Sequence, residues 1–202
     1  MKRIKVACIG DSITHGSTLF FRKRFSYPSV LNRLASPIYI VKNFGVSGAC
    51  ATTKSDQAYS KEKSYSNSLK YLPNIVFIML GTNDSKTQNW NATNFKKDYI
   101  NIINTYQNLS SNPKIYLMTP IPGFEDKWDI QCDVIENQIL PIIIDLANEL
   151  RIEIIDVFTP FKHKSNFTTD NIHPNIKGAF LLAEIVNREL SWKEDYNERN
   201  TN

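Results

Sequence analysis

The sequence has too little cysteine for a disulfide framework. Its three residues, Cys8, Cys50 and Cys132, are an odd number and lack the close pairing that holds zinc. Cys8 falls inside an apolar run, and all three are read as reduced, inert thiols. Long hydrophobic stretches are missing too: nothing approaches the ~18 consecutive apolar residues of a membrane span, so none is expected. Charge of one sign does not dominate either. Lys and Arg exceed Asp and Glu by only 24 to 20, and the basic residues are scattered, so nucleic acid is not an expected partner. The one tight basic cluster, Arg22-Lys23-Arg24, reads either as a solvated loop or as an attractor of an anionic substrate. Repeats, linkers and low-complexity blocks are lacking, and 202 residues suit a single domain with a full core.

What is present is an alternation of short apolar runs with longer segments of helical period, the pattern of a parallel sheet with helices on both faces. Five strands are predicted at Ile4–Gly10, Ile38–Asn43, Ile75–Gly81, Lys114–Thr119 and Glu153–Val157. The third is apolar from Ile75 to Leu80, as a strand covered on both faces should be. Helices are predicted at Tyr27–Ala35, Asn67–Tyr71, Asn94–Leu109, Asp133–Leu150 and Asn175–Leu190, with Pro141 kinking or splitting the fourth. One domain over residues 1–192 is expected, with a polar tail, 193–202, that frays. The opening Met1–Gly10 is basic like an export signal, but its apolar stretch is short and runs straight into a polar motif. It is read as the first strand, and the cytoplasm is the expected location, or the periplasm or exterior if a signal has been removed.

Four polar clusters each follow a predicted strand, at the carboxyl edge where open parallel sheets place their sites. In Gly10-Asp11-Ser12-Ile13-Thr14-His15-Gly16, a serine on a strand-to-helix turn has an exposed hydroxyl and an amide near the positive end of a helix, which suits a nucleophile beside an oxyanion site. A helix cap is the plainer reading. In Asn43–Ala49, Gly48 can bring its N–H close to a ligand, although a simple turn has the same appearance. In Gly81-Thr82-Asn83-Asp84, the Asn83 amide is a candidate oxyanion donor or else a turn residue. In Asp170-Asn171-Ile172-His173-Pro174, a carboxylate three residues before a histidine can fix its tautomer and stabilise the imidazolium. His15 is a competing base without an evident orienting carboxylate, and His163 is read as a surface residue.

These four clusters resemble the blocks of the SGNH hydrolases, also called GDSL esterases and lipases, and the resemblance spans nearly the whole chain. It implies a three-layer α/β/α, flavodoxin-like fold with a five-stranded parallel sheet. It also implies a Ser12, His173 and Asp170 triad and an oxyanion hole of Ser12, Gly48 and Asn83. No metal or cofactor is implied. Asn171 departs from the glycine frequent at that place in the family. Leu80–Trp90, Asn43–Ala49 and Ser26-Tyr27-Pro28 are most similar to bacterial carbohydrate O-acetylesterases of the sialate acetylesterase type. The expected reaction is hydrolysis of small acyl esters, acetyl above all, on carbohydrates such as sialic acid, through an acyl-enzyme on Ser12; lipase, thioesterase or lysophospholipase activity on longer chains is the alternative, and an inactive carbohydrate-binding module is another. Trp90 is a candidate face for stacking a sugar ring, or an anchor for its loop.

Overall fold

The computed structural model describes residues 3–200, with side chains for 3–190. Its longer elements and short helical turns follow in the order β1 Ile4–Gly10, α1 Ser12–His15, α2 Arg22–Phe25, α3 Tyr27–Leu34, β2 Tyr39–Asn43, α4 Lys63–Tyr71, β3 Ile75–Met79, α5 Ala92–Gln107, β4 Lys114–Met118, α6 Cys132–Val134, α7 Leu140–Leu150, β5 Glu153–Ile155, α8 Phe158–Phe161 and α9 Ile176–Asn200. The five strands form one parallel sheet in the order β2-β1-β3-β4-β5. The chain reverses its direction of winding at β1, so a crevice opens beyond the carboxyl ends of β1 and β3.

Residues alternate between the two faces of the sheet, and each face has its own core. Ala7, Ile9, Val76, Ile78, Ile115 and Leu117 pack with Phe95, Tyr99, Ile102 and Ile103 of α5 and with Ile143 and Leu146 of α7. Their neighbours Val6, Cys8, Phe77, Met79, Tyr116 and Met118 face Tyr27, Val30 and Leu31 of α3 and Ala179, Leu182 and Val186 of α9. Cys8 is fully buried, and desolvation pushes its thiol up to about 12, which keeps it protonated and inert. Arg22, Lys23 and Arg24 are all exposed on α2.

The structure adds the short turns α1, α2 and α8 to the expected elements, follows expectation at Pro141 and departs from it in the bounds of α4 and α9. Pro141 does split the fourth predicted helix: a π-helical segment, Ile135–Ile139, separates α6 from α7, where Pro141 occupies the first turn. A proline has no N–H for the preceding turn and clashes with the carbonyl four residues back, and a wider turn relieves both faults. Helix α4 begins at Lys63 rather than Asn67. Its serines and asparagine are poor helix formers, but in the added turn Tyr65 packs on Tyr59 and Tyr106, with ring centroids 5.7 and 6.0 Å apart, and buried Ser68 shares a 2.6 Å hydrogen bond with the Tyr106 hydroxyl of α5, so tertiary contact overrides propensity. Helix α9 continues past Leu190 to Asn200; the side chains of the polar tail lie outside the described residues. Among the described residues no helix is long and apolar enough to cross a membrane.

Candidate active site

Strand β1 ends at Gly10 because nothing larger fits. A Cβ there would lie 2.7 Å from the Met79 carbonyl oxygen and closer still to the Thr14 side chain. Asp11 then caps α1, its Oδ1 accepting the Ile13 N–H at 2.9 Å, and Ser12 becomes the first residue of the turn. Its N–H therefore needs no partner inside the helix and faces outward at the positive end. Asp11 is buried, and desolvation pushes its carboxyl up to about 6, against the opposing pull of the Ile13 N–H and the positive potential of His173.

The base reaches Ser12 from the other end of the chain. His173 Nε2 lies 2.9 Å from Ser12 Oγ, across a sequence separation of 161 residues. On the far side of the ring, Nδ1 lies 2.9 Å from Asp170 Oδ2. A carboxylate only accepts, so Nδ1 carries the proton and Nε2 presents its lone pair to the serine hydroxyl. Asp170 is itself held: its Oδ1 accepts the N–H groups of Ile172 at 3.0 Å and His173 at 2.7 Å. Partial burial works against the charge on Asp170, but these bonds and the imidazole outweigh it and keep the carboxyl below its usual value. Asn171, between the two, has a φ of +71°, a region that asparagine tolerates better than other side-chain-bearing residues, which accounts for its standing where glycine is frequent.

Gly48 and Asn83 meet at the same edge. Gly48 has a φ of +84°, which calls for glycine, while a Cβ on it would meet only the flexible end of the Gln57 side chain. Asn83 is buried and gives one amide hydrogen to the Ala49 carbonyl at 3.3 Å, which leaves the second to donate elsewhere. The two loops are joined by Asp84. Fully buried, it accepts the N–H groups of Ala51 and Thr52 at 2.9 Å each and the Thr52 hydroxyl at 2.8 Å. Burial raises its carboxyl, and these donors partly offset the rise. Asn89 adds a second tie, donating to the Asn83 carbonyl at 3.0 Å and to Asp56 at 2.9 Å.

The remaining candidates separate clearly. His15 pairs with the Ser17 hydroxyl at 3.1 Å rather than with a carboxylate, and burial and Arg22 lower its basicity. His163 is exposed, as expected of a surface residue. Trp90 packs on Phe95 with ring centroids 5.6 Å apart and donates its indole N–H to Gln138 at 2.8 Å. Those are the contacts of a loop anchor, the second of its two readings, and Trp90 stays partly exposed. Sequence reasoning passed over a fifth polar cluster, Phe124–Asp129, which follows β4 at the same sheet edge and brings Trp128 to His173. The edge rule applied to the other strands would have found it. Among the described residues no cluster of His, Cys, Asp or Glu is arranged to hold a metal.

A parallel sheet with serine, imidazole and carboxylate in line at its carboxyl edge has the arrangement of the serine hydrolases. The chain belongs to the GDSL-like lipase/acylhydrolase family, which matches residues 8–179. It is 37% identical to an acetylxylan esterase of Xylanibacter ruminicola over 91% of its own length, and spans 42% of the length of that relative. Among solved structures it is similar to the acetyl xylan esterase AlAXEase, with a TM-score of 0.73, 23% identity and coverage of 91% of this chain and 98% of that one. A lipase/acylhydrolase from Enterococcus faecalis gives a TM-score of 0.72 at 19% identity, covering 94% and 96%. These structural likenesses share the fold described above.

Proposed function

We propose that the protein hydrolyses acetyl esters of carbohydrates through an acyl-enzyme on Ser12. The serine oxygen attacks the ester carbonyl as His173 Nε2 takes its proton, and Asp170 stabilises the imidazolium. The Ser12 and Gly48 N–H groups and the Asn83 amide receive the oxyanion. Collapse expels the alcohol, which takes the proton from His173, and water then releases acetate by the same steps in reverse roles. The observation that carries the reading is the 2.9 Å approach of Ser12 Oγ to His173 Nε2. The acetyl group and the sugar rest on the relative named as an acetylxylan esterase, which favours acetylated xylan over acetylated sialic acid as the substrate.

The test is hydrolysis of an aryl acetate and of acetylated xylan by the wild type and by Ser12→Ala. Loss of at least about a thousandfold in kcat is expected for the variant, and retention of most activity would remove Ser12 from the mechanism. Rates along a series from acetyl to dodecanoyl esters check the acyl group: activity that rises with chain length would make the protein a lipase or thioesterase instead.

A further inference from the structure

Trp128 lies against the ring of His173, and the reaction as written does not use it. The indole and imidazole centroids are 5.5 Å apart with their planes inclined at 53°. Trp128 is nonetheless 59% exposed, so a broad apolar face stays open to solvent beside the base. Its backbone is held where bulky side chains rarely go: φ is +52° at Trp128 and +63° at Asp129. The turn is closed by the Ile130 N–H on the Lys127 carbonyl at 2.8 Å. Backbone of this kind persists only where its surroundings impose it.

The surroundings do so from two sides. Asp129 accepts the Thr87 N–H at 2.9 Å and the Thr87 hydroxyl at 2.8 Å, which ties the turn to the loop of Asn83. The Phe124 N–H donates to the Asn171 carbonyl at 2.8 Å, and Asn171 Nδ2 donates to Glu125 at 2.7 Å, which ties the segment before it to the loop of His173. Trp128 is thereby fixed beside the base, on a turn tied to the loops of Asn83 and His173.

Building on the esterase reading, we propose that the open face of Trp128 is the subsite for the alcohol half of the ester, stacking on one face of a pyranose ring. When the tetrahedral adduct on Ser12 collapses, the bond between the carbonyl carbon and the alkoxy oxygen breaks. Its electron pair goes to that oxygen, together with the proton that His173 Nε2 had taken from the serine. The leaving oxygen must then lie within hydrogen-bonding reach of Nε2. The body of the alcohol accordingly lies against whatever flanks the imidazole, and that flank is Trp128. An indole supplies a flat apolar surface for the C–H groups of a sugar ring, while the acyl half faces Gly48 and Asn83.

Two acetyl esters with different alcohols test this: an acetylated xylo-oligosaccharide, and methyl acetate, whose alcohol is too small to cover the indole. Both form the same acetyl-enzyme, and kcat/KM covers only the steps that lead to it, so deacylation does not enter a comparison of kcat/KM. Trp128→Asn removes the ring with a residue that suits a positive φ, and Trp128→Phe restores an aromatic face. Trp128→Asn is expected to lower kcat/KM for the sugar ester about tenfold or more, with kcat/KM for methyl acetate within about twofold of wild type and partial recovery in Trp128→Phe. An equal loss on both esters would make Trp128 a support for His173 instead, and an unchanged kcat/KM for the sugar ester would show that it makes no contact. A wild type that does not prefer the sugar ester overturns the functional reading and the subsite with it, whereas a preference kept in Trp128→Asn overturns the subsite alone.

Discussion

The loop after β3 and the loop after β4 contain the same device in opposite surroundings. In each, an aspartate takes both the backbone N–H and the hydroxyl of one threonine: Asp84 from Thr52, and Asp129 from Thr87. Asp84 is fully buried and adds the Ala51 N–H, whereas Asp129 is exposed at the tip of a turn. Burial decides what the device is worth. A buried donor that loses its acceptor finds no substitute, but at the surface water takes the place of the lost partner. The buried clamp fixes the loops of Gly48 and Asn83, the proposed oxyanion donors. The exposed one shapes the rim that different alcohols would meet.

Truncating the two aspartates breaks the comparison most directly. Asp84→Ala strands three donors in the interior and is expected to lower stability by about 3–5 kcal/mol. Asp129→Ala should cost less than about 1 kcal/mol, because Thr87 turns to solvent. Urea denaturation of both variants measures the difference, and equal costs would mean that the surroundings of the two clamps are not what separates them.

Kinetics sharpen the same contrast. Asn83→Ala removes a donor from the buried side and is expected to lower kcat by about a hundredfold or more on every ester tested, about 3 kcal/mol of transition-state stabilisation. Its loss should be the same for sugar esters and methyl acetate, unlike a change at Trp128. A fall in Asn83→Ala confined to KM would show that the amide holds the ground state rather than the oxyanion.

What the sequence disclosed divides along a similar line. The Ser12 turn, the glycine at 48 and the Asp170–His173 pair are short-range patterns that can be read one strand end at a time, and β3 announces itself by an apolar run that both faces require. The clamp from Asp84 to Thr52 spans 32 residues, and the bond from Ser68 to Tyr106 that ties α4 to α5 spans 38. Neither partner of such a pair carries a mark of the other. Trp90 and Trp128 show the limit most plainly. Both are tryptophans in polar loops at the sheet edge, and only packing distinguishes the one that turns inward onto Phe95 from the one left open beside His173.

Asp11 extends the comparison to a carboxylate that is buried like Asp84 but accepts fewer backbone donors. With its carboxyl moved from an ordinary 3.8 to about 6, the folded state prefers the neutral form. The stability this confers is complete below the unfolded value and is lost as pH rises through about 6; beyond that the folded protein carries a buried charge. Asp11→Asn keeps an acceptor for the Ile13 N–H and cannot ionise. The stability of Asp11→Asn relative to wild type should therefore grow by about 2 kcal/mol between pH 4.5 and pH 7.5, as followed by urea denaturation at each pH. A difference that stays flat over that interval would mean that Asp11 is charged throughout and as well satisfied as an exposed carboxylate, and burial alone would no longer separate the two sides of the site.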